Sequence, residues 1–154
     1  MKQISAVFLI LFLFIFNNYK SQTEYTIDWT TPVYYQENES SKIGFLNFKN
    51  AYDYEGSIPM YVIEENENAT VSKMNVKLRN DKWEVLQTSE MELVNLSDIR
   101  ANYSIQSGYY QHQNKHFTSY RIPTVRYNKS TNQYEKLLSF ELEKKMTFAT
   151  ENNA

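Results

Sequence analysis

In several stretches after residue 22 the side chains follow a period of two, the spacing of pleated strands. In "SIPMYVIEE", Ile58, Met60 and Val62 fall on one face and Pro59, Tyr61 and Ile63 on the other, which predicts a strand over about 57–64 with apolar groups on both sides. Pro59 has no amide proton and belongs near the start of that strand or on an edge. In "ATVSKMNVKLR", Met74, Val76 and Leu78 share a face with Thr70 and Ser72. Asn80-Asp81 follows, a dipeptide that tolerates positive φ, and then "KWEVLQTSEMELVNL". This predicts a hairpin of 69–79 with 82–94, its buried side seeded by Trp83, Val85 and Leu86.

The segment from Leu96 to His116 is less regular. Leu96, Ile99 and Tyr103 are at helical spacing and Ser97 is a candidate cap for a short helix. In "HFTSYRIPTVRYN" the strand pattern resumes, with Thr118, Tyr120 and Ile122 opposing Phe117, Ser119 and Arg121, and with Pro123 bending the strand or marking an edge. "NKSTNQ", Asn128 to Gln133, is turn chemistry. "YEKLLSFELEKK" then pairs back, which points Leu138, Phe140 and Leu142 inward. Many short strands at about ten-residue spacing, with almost no helix, predict a single all-β domain of β-sandwich type over 23–145, with 146–154 beginning a linker.

The first 22 residues follow another pattern. Met1-Lys2 precedes "ISAVFLILFLFIF", 13 residues from Ile4 to Phe16, and the chain turns polar at Asn17. This reads as a signal peptide, because a permanent span needs about 20 apolar residues. An uncleaved anchor is the alternative. Cleavage is expected near Ser21 or Gln22, which places the product in the periplasm or at the cell surface with no membrane anchor. No cysteine follows, so there is no site for lipoprotein attachment.

Removing residues 1–22 takes out Lys2 and Lys20 and no acid, leaving 14 basic residues against 18 acidic ones and a net charge near −4. A mildly acidic surface argues against a nucleic-acid partner, which requires clustered Lys and Arg, and against adsorption to anionic lipid. The 132 remaining residues suffice for one core. With no cysteine in an oxidising compartment, stability rests on packing. The same absence removes every thiol mechanism and every Cys-based metal site.

Candidate chemistry is sparse. His112 and His116 stand four apart in "HQNKH", the helical spacing of a zinc pair, but Gln113 stands where a metalloprotease carries its Glu. A solvated strand edge is the plainer reading, and a metal-dependent hydrolase the sharper one. Glu64, Glu65 and Glu67 with Asn66 and Asn68 could supply oxygen ligands to calcium, yet no spacing resembles an EF-hand loop. The carboxylates of "YQENES", "IEENENAT" and "SEMELVNLSD" read as solvated turns rather than an acid-base pair. The aromatic stretches "PVYYQ", "NAYDYEG" and "SGYYQHQ" could make a sugar- or peptide-binding platform, although tyrosines in sandwiches more often cover cores. Sequons at Asn38, Asn68, Asn95, Asn102 and Asn128 are expected by chance in so Asn-rich a chain. No catalytic residue, metal ligand or cofactor site is assigned.

The order of pieces carries a resemblance. "TIDWTTP" after the signal peptide, "GSIPMYVIEENENATVSKMNVKL", a middle hairpin, and the closing pair "RIPTVRYN" and "YEKLLSFELE" resemble the N-terminal region of the type IX secretion system sortases of Bacteroidota, members of the gingipain-type cysteine-peptidase family. In that family a β-rich, propeptide-like region precedes a peptidase domain with a catalytic cysteine and histidine. The resemblance implies a non-catalytic front module, whose partners would be the peptidase domain and possible contacts in the secretion machinery or its cargo. This chain has no cysteine, so no catalytic residue carries over. A free-standing exported adhesin or carbohydrate- or peptide-binding sandwich is the rival from another class.

Overall fold

The computed structural model describes residues 23–149, Ser40 excepted. The expected signal peptide lies outside the described residues. Ten strands make an all-β domain: β1 (Glu24–Thr26), β2 (Trp29–Gln36), β3 (Lys42–Phe48), β4 (Asp53–Glu55), β5 (Ile58–Glu67), β6 (Val71–Val85), β7 (Gln106–His112), β8 (Lys115–Pro123), β9 (Val125–Asn128) and β10 (Gln133–Phe148). One sheet centres on β10, with β6 on one side and β1 and β9 sharing the other. A second runs β4-β5-β8-β7, and β2 with β3 forms a two-stranded ribbon. All pairs are antiparallel.

The two larger sheets close on one core. Tyr120 and Ile122 of β8 meet Leu137 and Phe140 of β10, and all four are fully buried. Each such side chain contributes roughly 1.5–3 kcal/mol through removal from water. Tyr25 stacks on Phe140 at 5.1 Å and Tyr61 meets it edge-on at 5.4 Å. Ile58 and Met60, on the other face of β5, enter a second cluster with Leu46, Leu86, Val94 and Val125. The two-sided apolar pattern of "SIPMYVI" therefore serves two clusters. Pro59 is the second residue of its strand, and Thr118, Tyr120 and Ile122 are the buried set of β8, as their alternation predicts.

Pro123 marks the corner where the chain changes sheets. β8 ends there in the second sheet, and β9 begins two residues later in the first. Thr124, between them, is fully buried. Its amide and hydroxyl both donate to the Pro59 carbonyl, at 3.3 and 2.6 Å, and its carbonyl accepts from the Leu137 amide at 2.8 Å. The turn over 129–132 closes the β9–β10 hairpin, with Asn128 accepting from the Ser130 amide at 3.0 Å and Asn132 at φ 58°. Only β9 folds back on β10 in this hairpin; Arg121 to Pro123 pair with β5.

The structure corrects the expectations in several places. The predicted hairpin at Asn80-Asp81 does not form: β6 runs unbroken from Val71 to Val85 along β10. Asn80 does take a positive φ of 49°, but as an extra residue within the strand rather than as a turn. The register slips once between Leu137 and Ser139 and back again between Ser139 and Glu141, so an extra residue on β10 is offset by one on β6.

The same irregularity decides which leucine is inward. Leu137 is fully buried and Leu138 only partly, because the slip interrupts strict alternation before Phe140 and Leu142. On β6, Trp83 packs against the core, whereas Val85 is exposed and Leu86 beyond the strand end is buried. The strand β10 also continues through Met146–Phe148, past the boundary expected at Lys145, and Ala149 still donates to the Thr70 carbonyl at 2.8 Å.

A further correction concerns the middle segment. A four-residue helix α1 (Thr88–Met91) begins where the Gln87 amide donates to the Glu90 carboxylate at 2.8 Å. A single 3₁₀ turn spans Leu96–Asp98, capped by Asn95 rather than Ser97. Its Asp98 accepts from the Ser57 amide at 2.7 Å, and the Ser57 hydroxyl accepts from the Asn95 amide at 2.7 Å. Gly56, at φ 59°, lies so near Asp98 that a Cβ would come within 2.4 Å of its carboxylate.

Candidate functional site

The strands distribute the chemistry-bearing residues over several surfaces. His112 and Lys115 flank a two-residue turn in which Gln113 and Asn114 both take positive φ, 48° and 60°, and His116 follows as the second residue of its strand. This turn geometry suits the twist of a hairpin. His112 pairs with Lys115, and His116 with Gln111, so pleating sends the two imidazoles to opposite faces. His116 hydrogen-bonds through Nδ1 to the Tyr109 hydroxyl and stacks on that ring at 5.9 Å. The helical premise for a zinc pair is therefore not met. Among the described residues, no group of three or more His, Cys, Asp or Glu could hold a metal ion.

The Glu-Asn run is the end of β5, and pleating splits it as well. Glu65 pairs with Lys144, and Glu67 accepts from the Thr118 hydroxyl at 2.8 Å. Glu64, on the other face, accepts from the Tyr110 hydroxyl at 3.2 Å. These carboxylates are spent on separate partners. The outer face of the β4-β5-β8-β7 sheet also carries a polar network: Arg121 grips Asp53 at 2.5 and 2.9 Å and donates to Gln106 at 2.6 Å, and Gln106 and Arg100 both reach Glu55. It ties short β4 to β7 and β8 across the sheet.

The three aromatic stretches do not form one platform. Tyr110 stacks on Phe117 at 5.1 Å on the outer face of β7 and β8. Tyr34 lies over Gly44, where a Cβ would come within 2.7 Å of the ring and 2.6 Å of Leu93. Tyr35 is on the opposite face of the ribbon, with Ile43 as its cross-strand neighbour and Phe45 beside it. Tyr54, from the β4 segment, closes on Phe45 edge-on at 6.0 Å. Together with Glu37 and Gly56 these residues line a recess of about 360 Å³. Tyr35 and Tyr54 stood in the aromatic stretches, whereas Ile43 and Phe45 did not stand out in sequence; their alternation opposite Tyr35 is the signal that could have found them.

No protein-family model matches the chain, and no curated protein does. Among solved structures, a chain of "Structural insight into zymogenic latency of gingipain K from Porphyromonas gingivalis" aligns with a TM-score of 0.54 and 11% identity, covering 86% of this chain and 91% of that chain. A chain of "Complex of Porphyromonas gingivalis RgpB pro- and mature domains" aligns with a TM-score of 0.48 and 10% identity, over 80% and 78% of the two chains. The fold is thus one shared with a chain of the gingipain K structure. At this identity the likeness speaks to architecture alone.

Proposed function

We propose that the chain is a propeptide-like, non-catalytic β module that works beside the peptidase domain of a gingipain-like cysteine peptidase. The observation that carries this reading is the fold shared with the gingipain K structure over nearly the whole length of both chains. The chemistry of the chain agrees: its sequence holds no cysteine, its two histidines point apart, and the carboxylates of Glu64, Glu65 and Glu67 are tied to separate partners. Its role is to pack, to hold the peptidase latent or to dock, rather than to cleave.

The finer reading is that the parent is the type IX secretion system sortase, PorU, a cell-surface peptidase that processes the C-terminal sorting signals of secreted cargo. Its support is the order of segments from "TIDWTTP" to "YEKLLSFELE" and the leader-like residues 1–22. On this reading the chain crosses the inner membrane and works in the periplasm or at the cell surface. Among the described residues no helix is long and apolar enough to cross a membrane.

Sequencing the transcript beyond the Ala154 codon tests the proposal. A frame that continues into a domain with a cysteine nucleophile and a histidine is the expected result. A stop, together with no gingipain-like peptidase recovered alongside the chain from its native source, would overturn it.

A further inference from the structure

The recess on the outer face of the β2–β3 ribbon has a composition that selects one kind of occupant. Its walls are Tyr35, Phe45 and Tyr54, with Ile43 beside them and Glu37 also lining it. The rings meet edge to face, Tyr35 on Phe45 at 5.7 Å and 73°, and Phe45 on Tyr54 at 6.0 Å and 75°. The Tyr54 hydroxyl, with one proton to donate, lies 3.2 Å from the Leu46 carbonyl and 3.1 Å from Asn47 Oδ1, both acceptors, which fixes that ring in place. Tyr35 is 61% exposed and Ile43 42%, so the recess is open to a visitor.

Charge decides what the visitor is. The Glu37 carboxylate accepts one hydrogen bond, from the Ser41 hydroxyl at 3.1 Å, and no ion pair among the described residues reaches it. Lys42 pairs with Gln36, whose side of the pleat is opposite that of Tyr35 and Ile43. An anionic group would be repelled by Glu37. A purely apolar one would desolvate that carboxylate without compensation. A sugar needs several convergent hydrogen-bonding groups, and one of the two tyrosine hydroxyls is already engaged. A flexible alkyl stem ending in a cation satisfies every wall at once: the stem covers the rings, and the charge meets both the π faces and the carboxylate.

We propose that this recess is a subsite for the basic side chain, lysine or arginine, of a partner polypeptide segment. Its volume, about 360 Å³, lies at the lower end of the range of ligand pockets. The inference stands apart from the propeptide reading, and its failure would leave that reading in place.

The test is a titration of the ¹⁵N-labelled chain, as isolated after export, with the capped tripeptides Gly-Lys-Gly, Gly-Arg-Gly, Gly-norleucine-Gly and Gly-Glu-Gly, followed by amide shifts. Saturable shifts at 35–37, 43–45 and 54–56 are expected with the Lys or Arg peptide, with affinity about tenfold weaker for norleucine and no saturation for Glu. Glu37→Gln and Tyr35→Leu, both at exposed positions, should each weaken binding of the basic peptide several-fold while leaving the thermal melt unchanged. Binding of norleucine as tight as that of lysine, undiminished binding by Glu37→Gln, or no saturable shift with any basic peptide would overturn the proposal.

Discussion

The Thr124 hydroxyl donates to the Pro59 carbonyl at 2.6 Å in the fully buried corner where the chain passes from one sheet to the other. Proline offers the ladder a carbonyl but no amide, so this carbonyl is the one backbone group through which residue 59 can bind its neighbour. Thr124→Val keeps the shape and removes the hydroxyl. A loss of roughly 1–2 kcal/mol is expected, read as a fall of about 3–8 °C in the melting temperature. An unchanged melt would show that the Thr124 amide alone suffices.

The paired register slips assign the two leucines different weights. Leu137→Ala should cost about 2–5 kcal/mol in denaturant unfolding, as a cavity in a closed core does. Leu138→Ala, at a partly buried position, should cost less than half of that. Strict alternation would demand the reverse order, so the pair of variants decides between the two registers.

Asn80 sits at φ 49° inside a strand. Asn80→Val should destabilise the domain by about 1–2 kcal/mol, because a β-branched residue resists the left-handed region. Asn80→Gly should be neutral to within a few tenths of that. Equal tolerance of Val and Gly in urea titrations would contradict the bulge.

Much of this was legible locally. The two-sided pattern of β5, the buried set Thr118, Tyr120 and Ile122, and the Asn128 turn follow from neighbours within a few residues of one another. Asn80-Asp81 was not, since the same dipeptide makes a hairpin turn or a bulge. The choice lies with β10, some sixty residues later, which offers a partner long enough to hold β6 straight. The two histidines show a related point: spacing of four carries meaning on a helix, whereas their hairpin, the strand edge of the plainer reading, sets them on opposite faces. The recess was half visible. Its tyrosines stood out by composition, but Phe45 and Ile43 join them only through ribbon pairing, and Tyr54 through the β4 connection.

On the outer face of the β10 sheet, the Arg79 guanidinium hydrogen-bonds Glu143 and holds its carboxyl below the usual carboxylate range, with Lys77 3.4 Å away. A depressed folded-state pKa means the contribution is present above the unfolded value of about 4.3 and is lost as pH falls through the folded one. Carboxyl ¹³C titration should therefore place Glu143 below that value. The depression should shrink in 1 M salt, since the pair is solvated, and Arg79→Gln should return it toward the ordinary range. A Glu143 carboxyl that titrates at or above about 4.3 would contradict the pairing.

The central claim, a propeptide-like module that acts on a peptidase without cleaving anything itself, is tested most directly by mixing. The isolated chain is added to a gingipain-like peptidase domain purified from its native source, and peptide hydrolysis and the mass of the eluted species are followed together. The account predicts a one-to-one complex, hydrolysis slowed as the chain is added, and none by the chain alone. Separate elution with undiminished hydrolysis, or turnover by the chain by itself, would contradict it.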